Sequence, residues 1–165
     1  METTTNISNI ATAISAVVAA VTLLLTFLKY RKKEQMEHAE QVLRMLDKTR
    51  NDKEILKFLQ MIDYDQHWYD NDFPNSEMEL TVDNALHYYE YALYLREQEL
   101  LTEKEFQFFE YDINRIVGNQ DILKYFHFLF GFTTSGNLSF KYKRLLDYGI
   151  KTNRINKELV DSKLL

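Results

Sequence analysis

The sequence NISNIATAISAVVAAVTLLLTFL, residues 6–28, contains no charged side chain, and the sequence KYRKK, residues 29–33, follows it directly. As a helix, these 23 residues rise about 1.5 Å each and so reach across the roughly 30 Å hydrocarbon layer of a bilayer. A helix also satisfies its own backbone hydrogen bonds, which a segment in lipid requires. We expect residues 6–28 to form a single transmembrane helix whose partner is the lipid bilayer.

The charges that flank this span predict its orientation. Glu2 is the only charged side chain before the span, whereas a basic cluster follows it, made of Lys29, Arg31, Lys32 and Lys33. Cationic flanks stay on the cytoplasmic side, so the N-terminus is expected outside and the rest of the chain in the cytoplasm. A signal peptide has its basic residues before the apolar core and a cleavage site after it, so this pattern indicates an uncleaved anchor.

Small side chains recur along the first half of the span. Ser8, Thr12, Ala16 and Ala20 are spaced four residues apart and share one helix face. Another helix can approach closely on such a face, so we predict that it mediates transmembrane association. The alternative is that small residues are merely tolerated in an isolated anchor.

The composition of the remaining chain limits its partners and its compartment. Residues 34–165 hold 24 acidic and 16 basic side chains, a balance that disfavours nucleic acid because phosphate binding requires basic charge. The chain has no cysteine, which excludes disulfides and fits a reducing compartment. The expected partners are therefore the bilayer and either a second copy of the chain or another protein.

Apolar spacing after the basic cluster is helical throughout, which predicts an all-α fold. Met36, Ala39, Leu43 and Leu46 repeat every three and four residues, typical of a short heptad seam. We expect the transmembrane helix to continue into a short stalk, followed by a compact cytoplasmic bundle of about five helices. Three domains are predicted: the anchor with its basic flank at 1–33, the juxtamembrane stalk at 34–50 and the helical domain at 51–165.

Capping signals and glycines predict where the helices of the bundle begin and end. Asn51 with Glu54, and Thr102 with Glu105, have the spacing of a capping box at a helix start. Residues 63–80 lose periodicity and are expected to be a loop, and an amphipathic helix of about five turns follows at 82–98. Helix ends are expected at three glycines, Gly118, Gly131 and Gly149. A further, poorly specified helix is expected over 153–165.

Residues 84–92, NALHYYEYA, and residues 99–106, ELLTEKEF, resemble a helix, turn and capped second helix found in an uncharacterised bacterial family of short membrane-anchored proteins. The resemblance extends to 119–130 and 140–146, about the C-terminal half. It implies an N-terminal anchor in a bacterial inner membrane and a cytoplasmic helical domain. It brings no catalytic residues.

Three polar residues of the 82–98 helix are candidate metal ligands. Asp83, His87 and Glu90 are four and three residues apart, so their side chains share one face. Carboxylate and imidazole groups bind divalent metals in helical bundles, but such sites take ligands from several helices. A solvated polar face is the alternative.

Aromatic residues at helical spacing are mostly expected in the core. On the 82–98 helix, however, Tyr88, Tyr91 and Leu95 widen the apolar face beyond what one core requires. We predict that these three residues form an interaction surface.

The chain lacks the common motifs of nucleotide-binding, hydrolytic and metalloprotease sites. We therefore expect no catalytic activity and no cofactor, and predict a single-pass membrane protein whose cytoplasmic helical domain mediates protein interaction or self-association. One alternative is a membrane-perturbing effector, of toxin or phage-defence type, that oligomerises through its transmembrane helix. A second alternative is a metal-dependent enzyme that uses the face of Asp83, His87 and Glu90.

Overall fold

The computed structural model describes residues 2–136 and 138–156, with side chains from Ser15 onward except that of Ala16. The described residues form α-helices and no strands, which confirms the all-α class. The helices are α1 Glu2–Asn51, α2 Lys53–Asp63, α3 Glu77–Glu97, α4 Glu103–Gly118, α5 Gln120–Ser135 and α6 Lys143–Lys151.

The chain divides into two units, Met1–Arg44 and Met45–Leu165. The first unit is the larger part of α1, and the second contains the last turns of α1 together with α2 to α6. The sequence patterns place the start of the helical domain at residue 51, six residues beyond Met45. The end of α1 is thus part of the second unit.

Helix α1 contains neither glycine nor proline and runs without a break through the predicted span, the basic cluster and the stalk. Each large apolar side chain between Val17 and Leu28 is at least half exposed, including Leu23 at 71%. Within the part of the chain that the structure describes, no helix meets the length and apolarity needed to cross a membrane.

Helices α3 and α4 form the centre of the second unit. Helix α3 packs against α2, α4 and α6, while α4 packs against α2, α3, α5 and α6. Their facing sides supply most of the fully buried side chains, whose removal from water is the main driving force for folding. The largest fully buried side chains of the described residues come from these two helices and from the elements packed against them: Ile55, Phe58, Ile62, Leu86, Tyr89, Phe106, Phe109, Ile113, Ile116, Ile122, Tyr125 and Tyr142.

One of the two predicted capping boxes is confirmed. At the start of α4, the Glu105 N–H donates to the Thr102 hydroxyl at 3.3 Å, and the Thr102 N–H donates to the Glu105 carboxylate at 2.9 Å. The prediction for α2 is wrong, because Asn51 still belongs to α1. The N-cap is Asp52, which is extended and accepts hydrogen bonds from the next helix instead.

Glycine ends only one of the three helices for which it was predicted. Helix α4 ends at Gly118, but Gly131 lies within α5 and Gly149 lies within α6. A Cβ at Gly149 would lie 2.5 Å from Cδ1 of Ile155 and 3.2 Å from Cβ of Val117. The glycine at 149 is thus explained by this close approach rather than by helix termination.

Two other boundaries differ from the sequence prediction. Helix α3 begins at Glu77, within the predicted 63–80 loop, because Ser76 caps it by accepting a hydrogen bond from the Glu79 N–H at 3.1 Å. The loop therefore covers only 64–76. Of the predicted helix at 153–165, residues 153–156 are not helical, and residues 157–165 lie outside the described part of the chain.

The position of the α2 cap predicts that substitutions at two adjacent residues change the free energy of unfolding by different amounts. Replacing Asp52 by Ala removes the acceptor for the N–H groups of Glu54 and Ile55, at 3.0 and 3.3 Å, and should lower the free energy of unfolding by about 1 kcal/mol. Asn51→Ala should change it by less than about 0.5 kcal/mol. Urea denaturation of the two variants measures the difference, and a larger loss for Asn51→Ala would contradict the assigned cap.

Candidate functional site

Asp83, a candidate metal ligand, accepts hydrogen bonds from residues of α5 and of the segment before α6. The donors are the Tyr142 hydroxyl, the Lys141 ammonium and, at 3.2 Å, the Tyr125 hydroxyl. Burial raises the pKa of Asp83, but the hydrogen bonds from Lys141 and Tyr142 outweigh burial, and the pKa lies below its usual value. Asp83 is thus an ionised carboxylate that ties α3 to the start of α6.

Glu90, the second candidate ligand on α3, caps α6 from a distance. Tyr142 occupies the N-cap position of α6, but its side chain makes no capping hydrogen bond. The buried Glu90 carboxylate instead accepts the backbone N–H of Arg144 at 3.1 Å and of Leu145 at 2.9 Å. The first N–H groups of a helix have no partner within it, and a negative charge there also interacts favourably with the helix dipole.

Asp83, Glu90 and Glu97 are seven residues apart, two helical turns each, and form an acidic row along α3. Arg144 contacts Glu90 at 3.3 Å and Glu97 at 2.7 Å, while Lys141 pairs with Asp83. Two cations at and just before the start of α6 therefore pair with all three carboxylates of the acidic row. The polar face that the sequence shows on α3 is an internal contact between helices.

The third candidate ligand, His87, lies beside Asp83. Its Nδ1 is 3.8 Å from Oδ2 of Asp83, and its ring packs edge-on against Tyr142 at 5.4 Å between centroids. Glu90 is directed to α6 instead. Across the described residues, no group of three or more His, Cys, Asp or Glu side chains is placed to hold a metal ion. The structure brings two of the candidate ligands together but not the third.

Asp121 is a buried carboxylate that the sequence analysis missed. It accepts the N–H of Trp68 at 2.9 Å and of Tyr69 at 3.3 Å, lies 3.3 Å from His67 and binds Lys124 at 2.8 Å. Burial raises its pKa, but the hydrogen bonds from Lys124 and the two N–H groups outweigh burial and hold the pKa below its usual value. Asp121 fixes the loop between α2 and α3 to the start of α5.

A groove with a volume of about 440 Å³ lies between the end of α1, the start of α2 and the middle of α3, and we call it the α3 groove. This volume is within the range of typical binding pockets. Its lining contains both charges and aromatic rings: Lys48, Asp52, Glu54, Ile55, Asn84, His87, Tyr88 and Tyr91.

The three residues of the predicted interaction surface differ in how far they are exposed. Tyr88 is buried, and its hydroxyl donates to the carbonyl of Met45, so it forms the wall of the α3 groove rather than a free contact. Leu95 is half-buried. Tyr91 is 53% exposed and is the accessible aromatic residue of the three.

Tyr94, which was not predicted, extends the accessible surface. Its ring stacks with that of Tyr91 at 6.0 Å between centroids, and we call these two residues the tyrosine pair. The Arg144 guanidinium lies 5.1 Å from the centroid of the Tyr94 ring. The cation that binds the acidic row therefore also supports one side of the tyrosine pair.

The predicted transmembrane association face is only partly described. Ala20 is exposed on α1, whereas the side chains of Ser8, Thr12 and Ala16 lie outside the described part of the chain. The effector alternative depends on this face and stays a prediction. The basic cluster is exposed, with Lys33 3.6 Å from Glu37 one turn later.

Comparisons with protein-family models, curated proteins and solved structures found no match to the chain. The resemblance to a membrane-anchored bacterial family remains a prediction from the sequence.

The capping of α6 by Glu90 predicts that substitutions at different positions of the acidic row lower the free energy of unfolding by different amounts. Glu90→Gln removes the buried charge that accepts two backbone N–H groups and should lower the free energy of unfolding by about 2 kcal/mol. Glu97→Gln affects an exposed ion pair and should cost less than about 1 kcal/mol. Chemical denaturation followed by circular dichroism compares the variants, and equal losses would refute the assigned capping role.

Proposed function

We propose that this chain is a single-pass membrane protein of the bacterial inner membrane, anchored by residues 6–28, whose cytoplasmic helical domain docks another protein. The anchor is supported by the uncharged sequence, by the basic cluster after it and by the exposure of large apolar side chains along α1. Within this arrangement, the basic cluster marks the cytoplasmic end of the span.

The exposed tyrosine pair beside the α3 groove is the observation that favours docking. Tyrosine is enriched at protein interfaces because its ring offers a large contact area and its hydroxyl can still form hydrogen bonds. Tyr91 lines the groove and Tyr94 lies next to it, with exposed fractions of 53% and 38%. A partner side chain could therefore enter the groove while its neighbours cover the two rings.

The occupation of the acidic row favours docking over catalysis on this face. A catalytic or metal-binding carboxylate needs a free oxygen directed at its ligand. Asp83 and Glu90 instead use their oxygens to hold the start of α6. The exposed residues that remain on α3 include His87, Tyr91 and Tyr94, a set suited to contact with a protein surface.

The anchor can be tested by placing a charge at the middle of the span. An arginine at the centre of a transmembrane helix costs about 2.5–3.5 kcal/mol of insertion free energy. We expect the unmodified chain to stay in the membrane pellet after alkaline carbonate extraction, and Val17→Arg to move a large fraction into the supernatant. Tyr30→Arg, at the basic flank, is the control and should behave as the unmodified chain. Release of the unmodified chain would overturn the proposed anchor.

Docking at the tyrosine pair can be tested with a photo-crosslinking amino acid. When this amino acid replaces Tyr91 in cells that express the protein, irradiation should give a covalent adduct of one defined mass with the docked protein. The matched control is Tyr64, which is 75% exposed and lies outside the α3 groove. The Tyr91 adduct should be lost when Tyr94→Ala is added, since the second ring then no longer supports the contact. No adduct at Tyr91, or equal adducts at both positions, would contradict docking at this surface.

A further inference from the structure

Three lysines lie on one face of α1, directly after the predicted span. Lys29 is followed three and four residues later by Lys32 and Lys33, so the three side chains are neighbours, and all three are exposed. They line one surface depression, and we call them the lysine face. Arg31, the fourth residue of the basic cluster, lies on the other side of the helix, where its guanidinium is 5.9 Å from the centroid of the Phe27 ring.

The charges of the lysine face are not balanced within α1. Neither Lys29 nor Lys32 has an acidic residue three or four positions away, where an ion pair on one helix would form. Lys33 has one such partner, Glu37 at 3.6 Å, and both side chains are largely exposed. Like charges three and four residues apart destabilise a helix. An anion bound at this face would therefore relieve a repulsion that the helix itself leaves in place.

Apolar side chains directly precede the lysine face. Leu25 lies four residues before Lys29, and Leu28 lies four residues before Lys32, so each leucine shares a face with a lysine. The two leucines are 53% and 54% exposed. The same side of α1 thus changes from apolar to cationic within one turn. A ligand that matches both parts has apolar chains joined to an anionic group.

We propose that the lysine face binds the phosphate group of anionic phospholipids, with their acyl chains beside Leu25 and Leu28. The inference rests on the proposed anchor, which sets residues 29–33 at the depth of the lipid headgroups, where the span ends. Basic residues clustered beside a transmembrane helix are typical of binding sites for anionic headgroups. A zwitterionic phospholipid carries an ammonium group beside its phosphate, so its net charge is zero and its attraction to three lysines is weaker.

Native mass spectrometry of the full chain in an uncharged detergent measures this preference. The chain is offered equal amounts of phosphatidylglycerol, which is anionic, and phosphatidylcholine, which is zwitterionic, with identical acyl chains. We expect the phosphatidylglycerol adduct to exceed the phosphatidylcholine adduct at least about ten-fold, since each lysine near a headgroup contributes about five-fold to the binding of an anionic lipid. Raising the salt concentration should reduce the excess, because salt screens exposed charges. Equal adducts at low salt would overturn the site.

Two triple variants with the same loss of charge separate the lysine face from the overall charge of the chain. Replacing its three lysines by glutamine should remove the excess of phosphatidylglycerol, and replacing them by arginine should retain it. The matched control replaces three exposed lysines of the helical domain by glutamine and should also retain the excess: Lys53, Lys57 and Lys104. An excess that survives glutamine at the lysine face, or that is lost in the control or in the arginine variant, would overturn the assignment.

Two further measurements distinguish the lipid from a free anion and the site from the anchor. Glycerol 3-phosphate, which has the phosphate but no acyl chains, should leave the phosphatidylglycerol adduct in place when added at the same concentration. Its displacement of the lipid would indicate a site for soluble anions and overturn the lipid assignment. Retention of the unmodified chain in carbonate-washed membranes without a lipid preference would overturn the lysine face as a site and leave the anchor intact. Release of the chain from those membranes would overturn the anchor and the site together.

Discussion

The charge on Glu90 is the constraint on which the helical domain depends. Helix α6 provides no side-chain cap for its own N-terminus, and a carboxylate 54 residues earlier in the chain supplies it. The same carboxylate contacts Arg144, whose guanidinium also reaches Glu97 and the ring of Tyr94. One buried charge therefore fixes the last helix and supports part of the accessible surface of α3.

The sequence predicts local structure well where the signal is local. The capping box of Thr102 and Glu105 and the end of α4 at Gly118 depend on neighbours within one turn, and both are confirmed. The cap of α2 was misplaced by one residue because Asn51 and Asp52 have similar propensities. Gly149 was misinterpreted because its reason is a contact with Ile155, which periodicity does not reveal.

The roles of polar residues were harder to predict, since they depend on contacts distant in sequence. The acidic row looks from the sequence like a solvated face or a metal site, and only the position of α6 shows that it is an internal contact. Asp121 carries an ordinary signal for a helix start, since it follows Asn119, the N-cap residue of α5. Its hydrogen bonds to Trp68 and Tyr69 connect residues more than 50 positions apart. No local pattern predicts such a connection.

Because Glu90 of α3 caps α6, the domain cannot be completed during synthesis on the ribosome until α6 has been made. Until residues 141–145 have left the exit tunnel, Asp83, Glu90 and Glu97 face no cation, and the carboxylates must remain hydrated. The surface of α3 that α6 later covers stays open during that interval. Completion of the domain is thus delayed until α6 has emerged, and a chain truncated before Lys141 would expose this unfinished surface to chaperones and proteases.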